Sequence, residues 1–146
     1  PNDKGEFGLY RWGQEKRDWA RIEPMPDQLL HVVDKIERHF GVRPNHAIAT
    51  YYINGEEQWI PAHQDKAFSI ESVGVETKVT IYNLSLGAVR PFIITGLDCL
   101  GEKVRENLSV LAEFPLQPGD LYALAPEINE HFGHCVPQDS TVRDLR

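Results

Sequence analysis

The chain has 146 residues, 41% of them hydrophobic, and a formal net charge of −7. That length supports a single domain with one sizeable core and argues against disorder, and the acidic balance excludes an overall electrostatic footprint for a nucleic-acid backbone, leaving room only for a local basic groove. Two cysteines, Cys99 and Cys135, make no disulfide framework and point to an intracellular compartment, cytoplasm or nucleus, and no apolar run approaches the roughly 20 residues of a membrane span.

Residues 1–24 intersperse Phe7, Tyr10, Trp12 and Trp19 with Lys4, Arg11, Lys16, Arg17 and Arg21. Aromatics bury large areas, so this stretch reads first as a flap packed on the core; interleaved with arginine, it can also cover a substrate by stacking on a base. Pro24-Met25-Pro26-Asp27 predicts a turn and a helix start with Asp27 as N-cap. Leu29, Leu30, Val33, Ile36 and Phe40 then recur at helical spacing over 27–40, and Gly41 ends the helix. His31 and His39 within it read as solvated or packing residues.

From residue 45 the pattern changes to short apolar segments separated by turns. Residues 47–53 predict a strand, Asn54-Gly55 a hairpin turn, and 58–63 the returning strand. A polar loop over 66–76 precedes a buried strand over 78–86, another over 91–95 closed by Gly96, a charged hairpin excursion over 97–107 and a strand over 108–114. Gln117-Pro118-Gly119-Asp120 has its proline and glycine in type II order, 121–124 runs out of that turn, and His134-Cys135-Val136 precedes the last loop. One helix followed by many short strands argues for a mainly β architecture, a sandwich or jelly roll with the helix packed outside, over an alternating α/β fold. The start at Pro1 without a methionine and the end at Arg146, in what reads as a strand, are expected to be trimmed ends.

The chemistry concentrates at His63-Gln64-Asp65. On a strand, residues two apart project to the same face, so His63 and Asp65 are expected side by side. A bare His-x-Asp is often no more than a hydrogen-bonded pair, so a third ligand must decide. His131 and His134 are both candidates; three apart on a strand they would face opposite ways, and spacing alone leaves the choice open. Either one, brought opposite the pair by a jelly roll, would complete the two-histidine, one-carboxylate facial triad that leaves open metal positions and suits non-haem Fe(II) oxygen chemistry. Cys135 would point away from a metal on His134, which argues against a cysteine-rich zinc site.

Several ordered motifs carry a resemblance. The stretch 45–65, then Ile81-Tyr82-Asn83-Leu84-Ser85-Leu86-Gly87 with Arg90-Pro91-Phe92, then Leu116-Gln117-Pro118-Gly119-Asp120-Leu121, then His131-Phe132-Gly133-His134-Cys135-Val136-Pro137 resemble the AlkB-like family of Fe(II)- and 2-oxoglutarate-dependent dioxygenases. The resemblance runs from about Leu9 to the C-terminus. It implies a double-stranded β-helix, the family's jelly roll, with Fe(II) as metal and 2-oxoglutarate and O2 as cosubstrates. It implies His63, Asp65 and His134 as the iron ligands and catalytic centre, with Val136-Pro137 selecting His134 over His131. Arg146 resembles the arginine that pairs with the distal carboxylate of 2-oxoglutarate, a task suited to a guanidinium fork. Tyr52 resembles the tyrosine that hydrogen-bonds the cosubstrate, Ser85 lies on the strand lining its pocket, and Thr50 stands where the family usually has asparagine.

Tyr10 and Trp12 resemble aromatics of the family's nucleotide-covering flap, and with Arg90 and His131 they are the candidate substrate contacts. A second family arginine would fall past Arg146, and DNA-repair members carry an acidic residue where this chain has Ala67. The implied activity is oxidative dealkylation of nucleic-acid bases by a monomeric enzyme, without a membrane, on a single-stranded or flipped base. Ala67 and the −7 charge keep a protein side chain or small molecule as the alternative substrate. A catalytically silent jelly-roll binding module is the third reading.

Overall fold

A computed structural model of the chain describes residues 9–11, 19–21, 24–44, 47–65 and 80–143, the first two segments as backbone. They belong to two compact units, Pro1–Ala49 and Thr50–Arg146.

In the first unit, β1 (Leu9–Arg11) and β2 (Trp19–Arg21) pair antiparallel with Tyr10 opposite Ala20. The predicted flap therefore carries a two-stranded ribbon; Trp12 lies outside the described residues. α1 (Asp27–Phe40) occupies the predicted span, with Val33 and Ile36 buried on its apolar stripe. Its start differs from expectation by one residue. Pro26 is the N-cap, at φ −60° and ψ 149°, and its carbonyl accepts from the Leu29 and Leu30 amides at 2.9 and 3.1 Å. Proline suits that place because its fixed φ is already set and its missing N–H would have no partner at a helix start. Asp27 is thus helical and contributes its charge to the first turn without capping it. Gly41 ends the helix in the left-handed region at φ 72°, its N–H bonded to the Glu37 carbonyl at 2.8 Å.

The second unit contains β3 (Ile60–His63), β4 (Ile81–Leu84), β5 (Arg90–Thr95), β6 (Val110–Leu116), β7 (Leu121–Leu124), α2 (Pro126–His131) and β8 (Gly133–Val136). Four strands form an antiparallel sheet in the order β3-β8-β5-β6, and β4 and β7 pair antiparallel in a second sheet. Strands far apart in sequence thus lie side by side, as the expected jelly roll requires.

Three predicted segments change. Residues 47–53 form no strand, and Asn54-Gly55 does not turn one strand onto another. Local side chains satisfy the backbone there instead: Gln58 Oε1 accepts from the Ile53 and Asn54 amides at 2.9 and 3.0 Å, and Asn54 Oδ1 accepts from Glu57 N at 2.7 Å. Of the predicted buried strand over 78–86, residues 78 and 79 lie outside the described residues and 81–84 form β4, whose residues are half-buried or exposed in a two-stranded sheet. The excursion over 97–107 does connect paired strands, and it folds into two single-turn 3-10 helices, Leu97–Cys99 and Arg105–Asn107. The polar loop over 66–76 lies outside the described residues.

The large sheet sorts its side chains into two clusters. Tyr52, Phe92, Leu116 and Val136 form one, with Ile60, Ile94 and Tyr122 packed against it; Ala62, Ile93, Cys99 and Cys135 form the other, with Leu108. Neighbours along β5 and β8 alternate between the clusters, as the two-residue strand period dictates. By that period His134 faces away from its neighbour Cys135 and shares its face with Val136.

Candidate metal centre

His63 and His134 come together because β3 and β8 are antiparallel neighbours with these two residues directly opposite. Strict alternation would point Ile60 and His63 to opposite faces of β3. The pairing of Ile60 with Val136 and of His63 with His134 shows an extra residue on β3, a bulge that puts both on the side of the Tyr52–Phe92 cluster. The two imidazole centroids are 4.3 Å apart, and Phe92 lies 5.6 Å from the His134 ring.

β3 ends at His63, so Asp65 is not placed by strand alternation as expected. It stands just beyond the strand, where its N–H reaches Asn129 Oδ1 at 2.7 Å and its carbonyl accepts from Asn129 Nδ2 at 2.7 Å. Its carboxylate lies between the rings, with Oδ1 3.4 Å from His63 Nε2 and Oδ2 3.3 Å from His134 Nε2. The His134 side chain is 7% exposed, whereas those of His63 and Asp65 are 33% and 35% exposed. The group is therefore closed on the His134 side and open on the other.

Hydrogen bonds set the electronic state. His63 Nδ1 lies 2.8 Å from the Pro61 carbonyl, which can only accept, so Nδ1 carries a proton; Nε2 donates to the Asp65 carboxylate when the ring is doubly protonated and has its lone pair for a metal when it is neutral. Hydrogen bonds from His134 and then His63 hold the Asp65 carboxyl well below the usual carboxylate range, against its partial burial. Burial pushes His63 down, but hydrogen bonds to Asp65 and the Pro61 carbonyl outweigh it and leave its pKa raised. His134 Nδ1 is buried with no hydrogen-bond partner among the described residues, so the Asp65 contact at Nε2 and packing against Phe92 and His63 orient that ring.

This donor set fits a divalent transition metal. One ligand atom from each of His63, Asp65 and His134 lies within 4.8 Å of the others. The 3.3–3.4 Å nitrogen–oxygen separations come within a few tenths of the about 3 Å expected between neighbouring ligands with bonds of roughly 2.1 Å. Two imidazoles and a carboxylate, with no thiolate, suit iron bound with open positions.

The other predicted site residues separate. Tyr52 is buried in the cluster that reaches His134 through Phe92. Ser85 is buried, and its backbone pairs with the Gln117–Asp120 turn, through Asp120 O at 2.9 Å and Gly119 N at 2.7 Å. Thr50 is exposed. Arg90 has no exposed surface: Nη2 donates to the Pro137 carbonyl at 2.6 Å, Nη1 to the Gln58 carbonyl at 3.5 Å, and the guanidinium lies 5.7 Å from the Tyr52 ring centre. His131 is the last residue of α2 and not part of a strand, so strand parity with His134 does not apply; it is exposed. Tyr10 is described as backbone only, and Ala67 and Arg146 lie outside the described residues.

Residues 3–145 match the family model of the 2OG-Fe(II) oxygenase superfamily, and the chain belongs to that superfamily. No curated protein matches the chain. It is accordingly an Fe(II)- and 2-oxoglutarate-dependent dioxygenase that consumes O2. Beside this donor set Phe92 lies against His134, Tyr52 and Tyr122 pack with Phe92 in one cluster, and the Arg90 guanidinium stands over the Tyr52 ring.

Sequence reasoning overlooked Asn129 and Gln64, whose Nε2 donates to the Asn129 and Glu130 carbonyls at 2.9 and 2.8 Å. No motif signals such a pair, since neither side chain is chemically distinctive.

Proposed function

We propose that His63, Asp65 and His134 bind the iron, and that the enzyme is an AlkB-like dealkylase acting on an alkylated base of an unpaired or flipped nucleotide. The convergence of the three ligand atoms supports the metal assignment. The ordered AlkB-like motifs of the sequence support the substrate assignment.

The bound iron and 2-oxoglutarate supply the oxidation: O2 is consumed, 2-oxoglutarate becomes succinate and CO2, and one oxygen atom enters a substrate C–H bond. On an N-methyl group the hydroxymethyl product breaks its C–N bond, leaving the amine and formaldehyde. The chain's residues bind and orient. The Pro61 carbonyl holds the His63 proton on Nδ1 and thereby turns Nε2 to the metal. Asp65 neutralises metal charge, and the open His63–Asp65 side admits the substrate. Tyr52 hydrogen-bonds the cosubstrate, Thr50 and Ser85 flank its pocket, and Arg146 pairs with its distal carboxylate. His131, which is exposed, serves the substrate side, and Arg90, with no exposed surface, does not reach it; for Tyr10 and Trp12 the family motifs alone support a substrate role.

The test is succinate formation with a methylated oligonucleotide against the same oligonucleotide unmethylated. Methyl-dependent succinate with stoichiometric formaldehyde is expected, and equal turnover with both would remove nucleic acid from consideration. The −7 charge favours a second reading, a protein side chain or small molecule as substrate, to which a panel of methylated peptides and nucleosides analysed by product mass would respond.

A further inference from the structure

Asp65 stands at a place where the sheet can no longer hold it. β3 stops at His63, and the half-buried backbone beyond it must satisfy its N–H and C=O elsewhere. The Asn129 side-chain amide satisfies both at once, accepting from Asp65 N and donating to Asp65 O, each at 2.7 Å. This reciprocal pair reproduces, with a side chain, the two-bond exchange of an antiparallel ladder. Asn129 belongs to α2, whose carbonyls at Asn129 and Glu130 accept from Gln64 at 2.9 and 2.8 Å. α2 ends at His131, and β8, which carries His134, begins at Gly133. One short helix therefore grips Asp65 and leads directly into the strand of its fellow ligand.

We propose that Asn129 is a positioning residue for the metal site, fixing the Asp65 carboxylate relative to His134. The proposal rests on the reading of His63, Asp65 and His134 as ligands. Asparagine is the residue the geometry demands. Aspartate keeps the acceptor and loses the donor, alanine loses both, and glutamine adds a methylene to a bridge already at hydrogen-bond length. Without the bridge, Asp65 N–H and C=O turn to water and the carboxylate loses its fixed position. Groups that orient a ligand in this way govern metal affinity by about 10- to 100-fold.

The experiment is Mn(II) titration of the metal-stripped protein, with free Mn(II) read by electron paramagnetic resonance, together with the visible spectrum of the Co(II) form. Neither readout requires turnover. Asn129→Ala is expected to weaken Mn(II) binding by about 10- to 100-fold and to change the Co(II) bands, because the carboxylate moves. Asn129→Asp is expected to fall between it and the wild type, and serves if the alanine variant does not fold. Gln64→Ala, which leaves the Asn129–Asp65 pair intact, is expected to bind Mn(II) close to the wild type with unchanged Co(II) bands. A loss of stability alone would lower the folded fraction and leave the bands of the folded protein as they were. Wild-type affinity and spectrum in both Asn129 variants would overturn the positioning role while leaving the ligand reading intact. Unchanged metal binding in His63→Ala would overturn the ligand reading, and the positioning role with it.

Discussion

Asp65 shares its carboxylate between two imidazoles, and the direction of each titration shift dictates how the metal-free protein responds to pH. Asp65 is depressed below its ordinary 3.8, so its stabilisation is present above that pH and is lost as acid protonates the carboxylate. His63 is raised above its ordinary 6.5, so its stabilisation is present below 6.5 and is lost as pH rises through the elevated value. Thermal melts of the stripped protein are therefore expected to peak between 3.8 and 6.5 for this pair, and His63→Gln should flatten the alkaline limb. Metal binding has the opposite slope, because it needs neutral His63: Mn(II) affinity should climb with pH across the range where the stripped protein loses stability. An alkaline limb that persists in His63→Gln would contradict the assignment. Cys135 follows a different logic. Burial, with Cys99 nearby, pushes its thiol up to about 11, so almost no thiolate forms at neutral pH. Iodoacetamide should leave Cys135 unmodified in the native protein and alkylate it after denaturation, as peptide mass spectrometry would record.

At the scale of elements, β5 is the centre of the second unit, bonded to β6 on one side and β8 on the other. Ile93 on this strand is completely buried, and Ile93→Ala is expected to cost about 3 kcal/mol in denaturant unfolding. Arg90, at the start of the same strand, is also wholly buried, and its donor to the Pro137 carbonyl holds the segment that follows β8. Arg90→Ala should cost roughly 3 kcal/mol, because it opens a cavity and leaves a buried carbonyl without a donor. A loss below about 1 kcal/mol would mean that water replaces the guanidinium. β5, β7 and α1 were legible in the sequence because short apolar runs bounded by glycine or proline, and helical apolar spacing, are local signals. The failed strand over 47–53 shares the same composition. At its C-terminal end the Gln58 side chain takes the Ile53 and Asn54 amides that a neighbouring strand would otherwise bond.

At the scale of the whole second unit, Gly55 joins its beginning to its end. The Gly55 N–H donates to the Val142 carbonyl at 2.8 Å, and Asp139 N donates to the Gly55 carbonyl at 2.8 Å. A Cβ on Gly55 would stand 2.1 Å from the Asp139 carbonyl oxygen, which is backbone and cannot swing aside. Gly55→Ala should therefore destabilise by about 2 kcal/mol and pull the 139–142 segment off its seat, seen as faster amide exchange at Asp139. Wild-type exchange at that amide would show that the turn can shift without cost. The sequence signal here, Asn54-Gly55, marked a tight turn correctly and misjudged its purpose, which is close backbone approach to a distant segment.

Read alone, the residues determined what depends on near neighbours: the helix over 27–40, most strand cores, the turn at 117–120, and a histidine and carboxylate in one short motif. Family motifs spread along the chain named the iron and 2-oxoglutarate chemistry, in agreement with the superfamily match over residues 3–145. Tertiary structure decided the rest. The register of β3 against β8 put His63 opposite His134, the extra residue in β3 turned His63 to the proper face, and Asn129 on α2 took over Asp65 where the strand ends. These contacts join positions 64 or more residues apart. No local preference encodes them, because they exist only once the sheet has aligned its strands.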